Sequence, residues 1–365
     1  MDKEVIGKSK YEIDTPAFLV DLEILDRNIR KMADFFSDKQ SNVRPHWKTP
    51  KTVEIAKKQI EAGALGITCA KVSEAEILVD AGIKDVLIAN EVVGKKKLRK
   101  LAALNKKADV KCAVDDAVHV DMVAEAAAAE GLNIGVVVDV FVGLPRCGVK
   151  PEDAPALAKK IDATKNIELR GVMGYEGHIV NMEENERREE EAKKSMGMLV
   201  QAADSIRKAG INCEIVSGGG TGTYNISGVF PGVTEIQAGS YCLMDTKYGK
   251  LELGFDKAVT ILSTVWSKAP ALPGWTIIDA GMKQMSNEFG QPEIIGVPDT
   301  RVAMLSEEHA HLLTEGGESP LQIGDKVELY PSHICTTINL HDTMYVIKGD
   351  EVVDVWKIAG RGKSQ

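Results

Sequence analysis

The chain has 365 residues, 44% of them hydrophobic, which is enough for one large domain and a smaller one with a sizeable core. Its 45 basic and 54 acidic residues leave a net charge of -9, and no basic stripe is interleaved with aromatics; nucleic acid and anionic membrane surfaces are therefore excluded as expected partners in favour of small molecules. Met1-Asp2-Lys3-Glu4-Val5 has no apolar leader, no apolar stretch reaches the roughly 18 residues of a membrane span, and the six cysteines are scattered without Cys-x-x-Cys, so a cytoplasmic protein with reduced thiols is expected.

A first strand is expected at Ala17 to Asp21. From residue 43 onward, strands near 43–48, 65–70, 85–90, 109–115, 133–140, 170–176, 213–218 and 234–239 alternate with helices over 51–62, 73–81, 95–107, 117–130, 151–163 and 183–209. Eight strands in this alternation favour a closed parallel (β/α)8 TIM-like barrel. The strand at 43–48 ends in Arg44-Pro45-His46-Trp47-Lys48-Thr49, with Thr49 read as the cap of the next helix and Pro50 as its first residue. Lys48 then stands at the carboxyl end of a barrel strand, where catalysis is carried, and an amine held there against apolar walls attacks an aldehyde to form a Schiff base. His46, two residues earlier, shares its strand face.

Arg146 follows the fifth strand of this count, and Tyr175 ends the sixth with His178 just beyond. Gly218-Gly219-Gly220-Thr221-Gly222 follows the seventh and Gly239-Ser240-Tyr241 the eighth. Barrel enzymes commonly hold phosphate with the loops after those two strands, because glycines let several N–H groups approach the oxygens; hydroxyls of Thr221, Thr223 or Ser240 complete such a cradle. The charge run Glu183 to Glu191 reads as a solvated helix face. After residue 250 the pattern turns to period two, which marks a β-rich domain. There His333 and Cys335 lie two apart on an expected strand and so share a face; imidazole with thiolate suits Zn²⁺ better than Mg²⁺ or Ca²⁺. His309 and His311 are assigned to a surface turn.

Arg44 to Thr49, Asp139 to Val149, Tyr175 to His178, Ser217 to Tyr224, Gln237 to Tyr241 and His333-Ile334-Cys335 are short segments spread along the chain. Together and in this order they resemble the fold type III pyridoxal 5'-phosphate (PLP) enzymes of the D-threonine aldolase and D-serine dehydratase group. The resemblance implies an alanine racemase-like fold, with a PLP-binding barrel over residues 24–250 and a β-rich domain of residues 1–23 with 251–365 that carries the metal site. It implies Lys48, Tyr175 and His178 as catalytic groups, with Lys48 carrying PLP. His46, Arg146, Tyr175, Gly219, Gly220, Thr221, Gly239, Ser240 and Tyr241 are the implied cofactor contacts, Arg146 donating to the phenolic oxygen. His333 and Cys335 are the implied ligands of one divalent metal, Zn²⁺ ahead of Mn²⁺ or Mg²⁺. A D-amino acid substrate and a homodimer are implied too.

Within that group His-x-Asp marks the aldolase branch and His-x-Cys the dehydratase branch, and this chain has the latter. It has Ile179-Val180-Asn181 where the aldolases place a further histidine. The sequence therefore favours a lyase on a D-β-hydroxy-α-amino acid of the D-serine, D-threonine or D-3-hydroxyaspartate class, with ammonia-releasing elimination of water ahead of retro-aldol cleavage to glycine and an aldehyde. A racemase, which needs a second base and no metal, and a non-catalytic PLP carrier, which has no use for a second domain, are the alternatives.

Overall fold

The computed structural model describes residues 3–365. They form two compact units, one of residues 30–48, 55–239 and 362–365, the other of the chain up to Ile29 with residues 49–54 and 240–361. The divisions thus fall at 30 and 240, against the 24 and 250 expected from the sequence.

Strand β1 (Ala17–Asp21) belongs to the second unit. The first unit contains eight parallel strands: β2 (Asn42–Val43), β3 (Ile67–Cys69), β4 (Asp85–Glu91), β5 (Asp109–Val114), β6 (Ile134–Asp139), β7 (Ile167–Met173), β8 (Ile215–Gly218) and β9 (Glu235–Ile236). They lie in the order β2-β9-β8-β7-β6-β5-β4-β3. The two ends of this sheet meet where His46 bridges Thr68, with the Trp47 N–H donating to the Thr68 carbonyl at 2.7 Å and the Thr68 N–H to the Pro45 carbonyl at 2.9 Å. The ring is therefore closed, as the alternation of strands and helices predicts. Every residue of β6 is buried, because both faces of a parallel strand are covered. Leu87, Ala113, Val137, Met173 and Ile215, one from each of five adjacent strands, pack as a single layer.

The segment bearing Lys48 departs from expectation. Strand β2 stops at Val43, and although the Arg44 and His46 N–H groups still donate to the Ile236 and Ala238 carbonyls at 2.9 and 3.1 Å, Lys48 lies in the turn beyond them, so His46 and Lys48 do not share a strand face. Pro45 has no N–H to give to a ladder. The following helix is Val53–Glu61, not one that starts at Pro50, and Thr49 is not its cap. Lys51 takes φ +47 and breaks the helical path, while proline disfavours helical geometry at Thr49 before it.

Arg44 clamps this short strand. Its Nε donates to both oxygens of Glu235 at 3.0 Å and its guanidinium reaches Asp85 at 2.5 Å; Asp85 also accepts from Lys111 at 2.9 Å. Arg44, Glu235 and Lys111 are almost fully buried. Gly66 makes room for the guanidinium, since a Cβ there would stand 2.3 Å from its nitrogen.

In the second unit β1 pairs antiparallel with β10 (Val259–Ser267) and parallel with β16 (Thr343–Lys348). The sheet also contains β11 (Trp275–Ile278), β12 (Glu293–Ile294), β13 (Thr300–Leu305), β14 (Ala310–Thr314), β15 (Lys326–Tyr330) and β17 (Glu351–Lys357). Its main path runs β13-β14-β11-β10-β1-β16-β17, and β15 pairs with both β10 and β12. Asp279 is a structural group here: it accepts from the Thr15 and Ser263 hydroxyls, both at 2.6 Å, and from the Thr264 N–H at 2.8 Å. His311 lies within β14, not in a turn, and its Nε2 is 2.8 Å from the Ser306 hydroxyl. The strand expected at His333 and Cys335 is absent as well. Pro331 ends β15 at Tyr330, and His333 stands at the N-cap position of a short helix, Ile334–Thr337.

Replacing Arg44 by alanine leaves Glu235 and Asp85 without their main partner, and a broken buried pair costs about 3–5 kcal/mol. Urea unfolding of Arg44→Ala is expected to show a loss of this size; a loss below ~1 kcal/mol would mean that the clamp contributes little.

Candidate active site

The carboxyl ends of the barrel strands bring several of the expected residues together. Lys48 is half-buried in the turn after the His46 bridge, with its Nζ 5.1 Å from the centroid of the Tyr175 ring, and the guanidinium carbon of Arg146 lies 5.7 Å from the same centroid. Two cations thus share one aromatic side chain. Tyr175 stands two residues past β7, and glycines give its ring room: a Cβ on Gly177 would come within 2.5 Å of it and one on Gly220 within 3.4 Å. His46 is buried and its Nδ1 accepts the Lys48 N–H at 3.3 Å. Arg146 sits in a loop closed by a bridge between Val140 and Val149. Gly143 of that loop lies against the imidazole of His178, so close that a Cβ would stand 2.5 Å from Cε1. His178 itself is exposed.

The glycine-rich loop after β8 is organised from inside the barrel. Gly219 has φ +71, and a Cβ on Gly222 would stand 1.8 Å from the Val180 carbonyl oxygen. The Gly219 N–H donates to Glu176 at 3.0 Å, and the Gly220 N–H donates to the Thr223 hydroxyl at 3.1 Å. That hydroxyl donates in turn to Glu176 at 2.6 Å, as does the Ser227 hydroxyl at 2.8 Å. Gly219 and Gly220 therefore contribute shape here, because their amides are engaged within the loop. Sequence reasoning missed Glu176, whose partners lie 43 to 51 residues downstream and leave no local signal.

A second cluster was also missed. The ligand atoms of Glu91, Asp139 and Cys147 lie within 4.8 Å of one another, the one group of three or more such residues among those described. Burial, then the charge of Glu91, push the Asp139 carboxyl up to about 8 against the opposing Arg146; the same two causes push the Cys147 thiol up to about 11. Both groups hold their protons at neutral pH.

His333 and Cys335 belong to the second unit. Asp245, fully buried, accepts the Ile334 N–H at 3.0 Å and the Tyr248 N–H at 2.8 Å, which fixes the turn between the pair. His333 Nδ1 lies 2.9 Å from Glu288, and the Thr336 hydroxyl donates to the same carboxylate at 3.0 Å. Cys335 Sγ lies 3.1 Å from the hydroxyl of Thr49, the residue that follows Lys48 in the chain, and 3.6 Å from the hydroxyl of Ser240. Burial lowers the His333 pKa, but hydrogen bonding and charge from Cys335 and Glu288 outweigh it and push it up to about 9. A carboxylate on Nδ1 is the arrangement that presents the other ring nitrogen to a metal. With two protein donors, coordination positions stay open for water and substrate. Imidazole with thiolate therefore fits a divalent ion of the Zn²⁺ kind. Tyr241 is buried in this unit, its ring 5.7 Å from that of Phe255.

Residues 20–247 match the family model for the alanine racemase N-terminal domain, and residues 258–347 match that for a putative serine dehydratase domain. The chain belongs to the alanine racemase-like, fold type III family of PLP enzymes. It is similar to a D-threonine aldolase of Arthrobacter sp, 37% identical over 98% of this chain and 96% of the relative. It is also similar to a 3-hydroxy-D-aspartate aldolase of Paracoccus denitrificans, 35% identical over 98% and 94%. Among solved structures, D-threonine aldolase from Filomicrobium marinum superposes with a TM-score of 0.94 at 34% identity, covering 99% of each chain. D-threo-3-hydroxyaspartate dehydratase from Delftia sp. superposes at 0.87 and 27%, covering 96% and 98%. That dehydratase has also been solved as a histidine-to-alanine mutant and as a cysteine-to-alanine mutant in the metal-free form, the two positions two residues apart. This family member is a PLP-dependent enzyme of the lyase class. No helix among the described residues is long and apolar enough to cross a membrane.

The raised Asp139 carboxyl gives a pH prediction. The folded pKa of Asp139 is raised, so the stability it contributes is complete below its unfolded value of roughly 3.9 and is lost as pH rises toward about 8. The stability of the native protein minus that of Asp139→Asn is therefore expected to fall across this window and level off above it. Urea unfolding at several pH values measures that difference, and a difference that grows with pH would show Asp139 ionised throughout.

Proposed function

We propose that this lyase uses PLP with a divalent metal and acts on D-β-hydroxy-α-amino acids. The cofactor assignment rests above all on Lys48, whose amine stands over Tyr175 beside Arg146 at the carboxyl ends of the barrel strands. In this reading Lys48 holds the aldehyde carbon, Tyr175 and His46 flank the ring, and Arg146 donates to its phenolic oxygen. Thr221, Gly222 and the Gly239-Ser240 step surround the phosphate. The fit is supported by a loop that tolerates no side chain at Gly222. His333 and Cys335 hold the metal. Bound there, PLP supplies an electron sink at Cα and a divalent ion supplies Lewis acidity toward a hydroxyl oxygen. Family resemblance also implies a homodimer, which sedimentation equilibrium tests.

Two bond-breaking outcomes share these residues. Retro-aldol cleavage of Cα–Cβ is the reading we adopt, supported by overall likeness: the aldolase relatives match over nearly their whole length at higher identity than the dehydratase. Here the Cα proton stays in place and the proton of the β-hydroxyl is removed. The second reading, elimination of water, is favoured by the His-x-Cys donor pair that the dehydratase mutants suggest for that enzyme. In it Lys48 takes the Cα proton and the β-hydroxyl departs. The purified enzyme supplied with PLP and Zn²⁺ or Mn²⁺ is tested on D-threonine, D-serine, D-3-hydroxyaspartate and their L forms. Glycine and acetaldehyde from D-threonine without ammonia is the expected result. Ammonia with 2-oxobutyrate would establish elimination instead, and interconversion of D- and L-alanine alone would overturn the lyase assignment.

Borohydride treatment and peptide mapping are expected to find the cofactor on Lys48, and Lys48→Ala to lower turnover by about 10³-fold or more. A label on another lysine would refute the assignment. Chelation, or Cys335→Ala, is expected to abolish turnover while leaving the visible absorbance of the bound cofactor unchanged. Full activity after exhaustive metal removal would eliminate the Lewis acid from the reaction.

A further inference from the structure

We propose that Glu176 is the positioning residue of the phosphate loop, an inference that rests on the PLP reading above. Its side chain is fully buried and its carboxylate is the hub of the segment from Gly219 to Ser227. One oxygen takes the Gly219 N–H at 3.0 Å; the other takes the Thr223 and Ser227 hydroxyls at 2.6 and 2.8 Å. The Thr223 hydroxyl meanwhile accepts the Gly220 N–H at 3.1 Å, so the carboxylate governs two consecutive peptide planes, one directly and one through Thr223.

A buried carboxylate beside a site for a phosphate dianion is an adverse placement unless the carboxylate does something that a neutral residue cannot. Only an acceptor with two oxygens and no donor serves one amide and two hydroxyls at once. Glu176 therefore turns the first two amides of the glycine run inward and fixes the direction of the chain where Gly222 passes the Val180 carbonyl. A loop held in its binding shape beforehand loses less freedom when an anion arrives. The carboxylate acts through the loop and need not touch the cofactor.

The test compares pyridoxal phosphate with pyridoxal, which lacks the phosphate, by absorbance titration of the cofactor-free protein. Unfolding midpoints are recorded alongside. The native protein is expected to prefer pyridoxal phosphate strongly. In Glu176→Gln one side-chain donor faces the loop, and the affinity for pyridoxal phosphate is expected to fall about ten-fold, equivalent to ~1.4 kcal/mol, with pyridoxal affinity unchanged. Ser227→Ala, which removes one donor and keeps the carboxylate, is expected to shift the same ratio less; it carries the test if Glu176→Gln does not fold. Parallel losses for the two ligands, or an unaltered ratio in the variant that folds, would overturn the role given to Glu176. If the native protein binds both ligands alike, the phosphate site itself is misassigned, a failure distinct from that of Glu176.

Discussion

Lys48 stands at the end of a strand only two residues long, so its position depends on how that strand is clamped into the ring. Two ladder residues hold little by themselves, and beyond them Pro45 has no N–H to add, so the chain reaches the lysine on a few backbone bonds from Arg44, His46 and Trp47. Arg44 makes up the difference by joining β2 to Glu235 at the start of β9 and to Asp85 at the start of β4. These acids lie at the amino ends of their strands, while Lys48, Arg146 and Tyr175 follow the carboxyl ends. Stability and chemistry thus occupy opposite faces of the same barrel, the usual division of labour in this architecture.

The barrel was legible because its strands are continuous apolar runs and its helices amphipathic, so all eight strand positions and the helices between them appear near their expected places. Short elements were misjudged. Val43 to Trp47 keeps hydrogen bonds to both neighbouring strands but leaves regular strand pairing around Pro45, and His333-Ile334-Cys335 alternates like a strand yet begins a helix because Pro331 has already ended the ladder. Both errors stem from proline, which reshapes the backbone over several residues and leaves apolar periodicity unchanged. The pairing of His333 with Cys335 was foreseen on the wrong geometry. What brings the two side chains into contact is a helix start anchored by Asp245, not a shared strand face.

Glu176, Glu91, Asp139 and Glu288 were not singled out for their contacts, and each acts on residues far away in sequence. Composition cannot separate a solvated glutamate from one that takes three hydrogen bonds in the interior. The site is consequently more acidic in its supporting layer than its visible lysine and arginine suggest. Tyr175 between two cations, and Asp139 near Arg146 with its carboxyl pushed up by burial and by the charge of Glu91, describe one electrostatic arrangement in which positive groups and buried acids alternate.

The pairing of β1 has a consequence for synthesis. This strand is made long before its partners, residues 259–262 and 345–347. At a translation rate of roughly 5–20 residues per second it waits on the order of tens of seconds with an apolar edge and no mate. Ala17, Phe18, Leu19 and Val20, all buried in the finished sheet, are meanwhile an adhesive segment on a nascent chain whose barrel is already assembling. The order of strands in the sheet thus sets how much chain must be made before this segment can be covered.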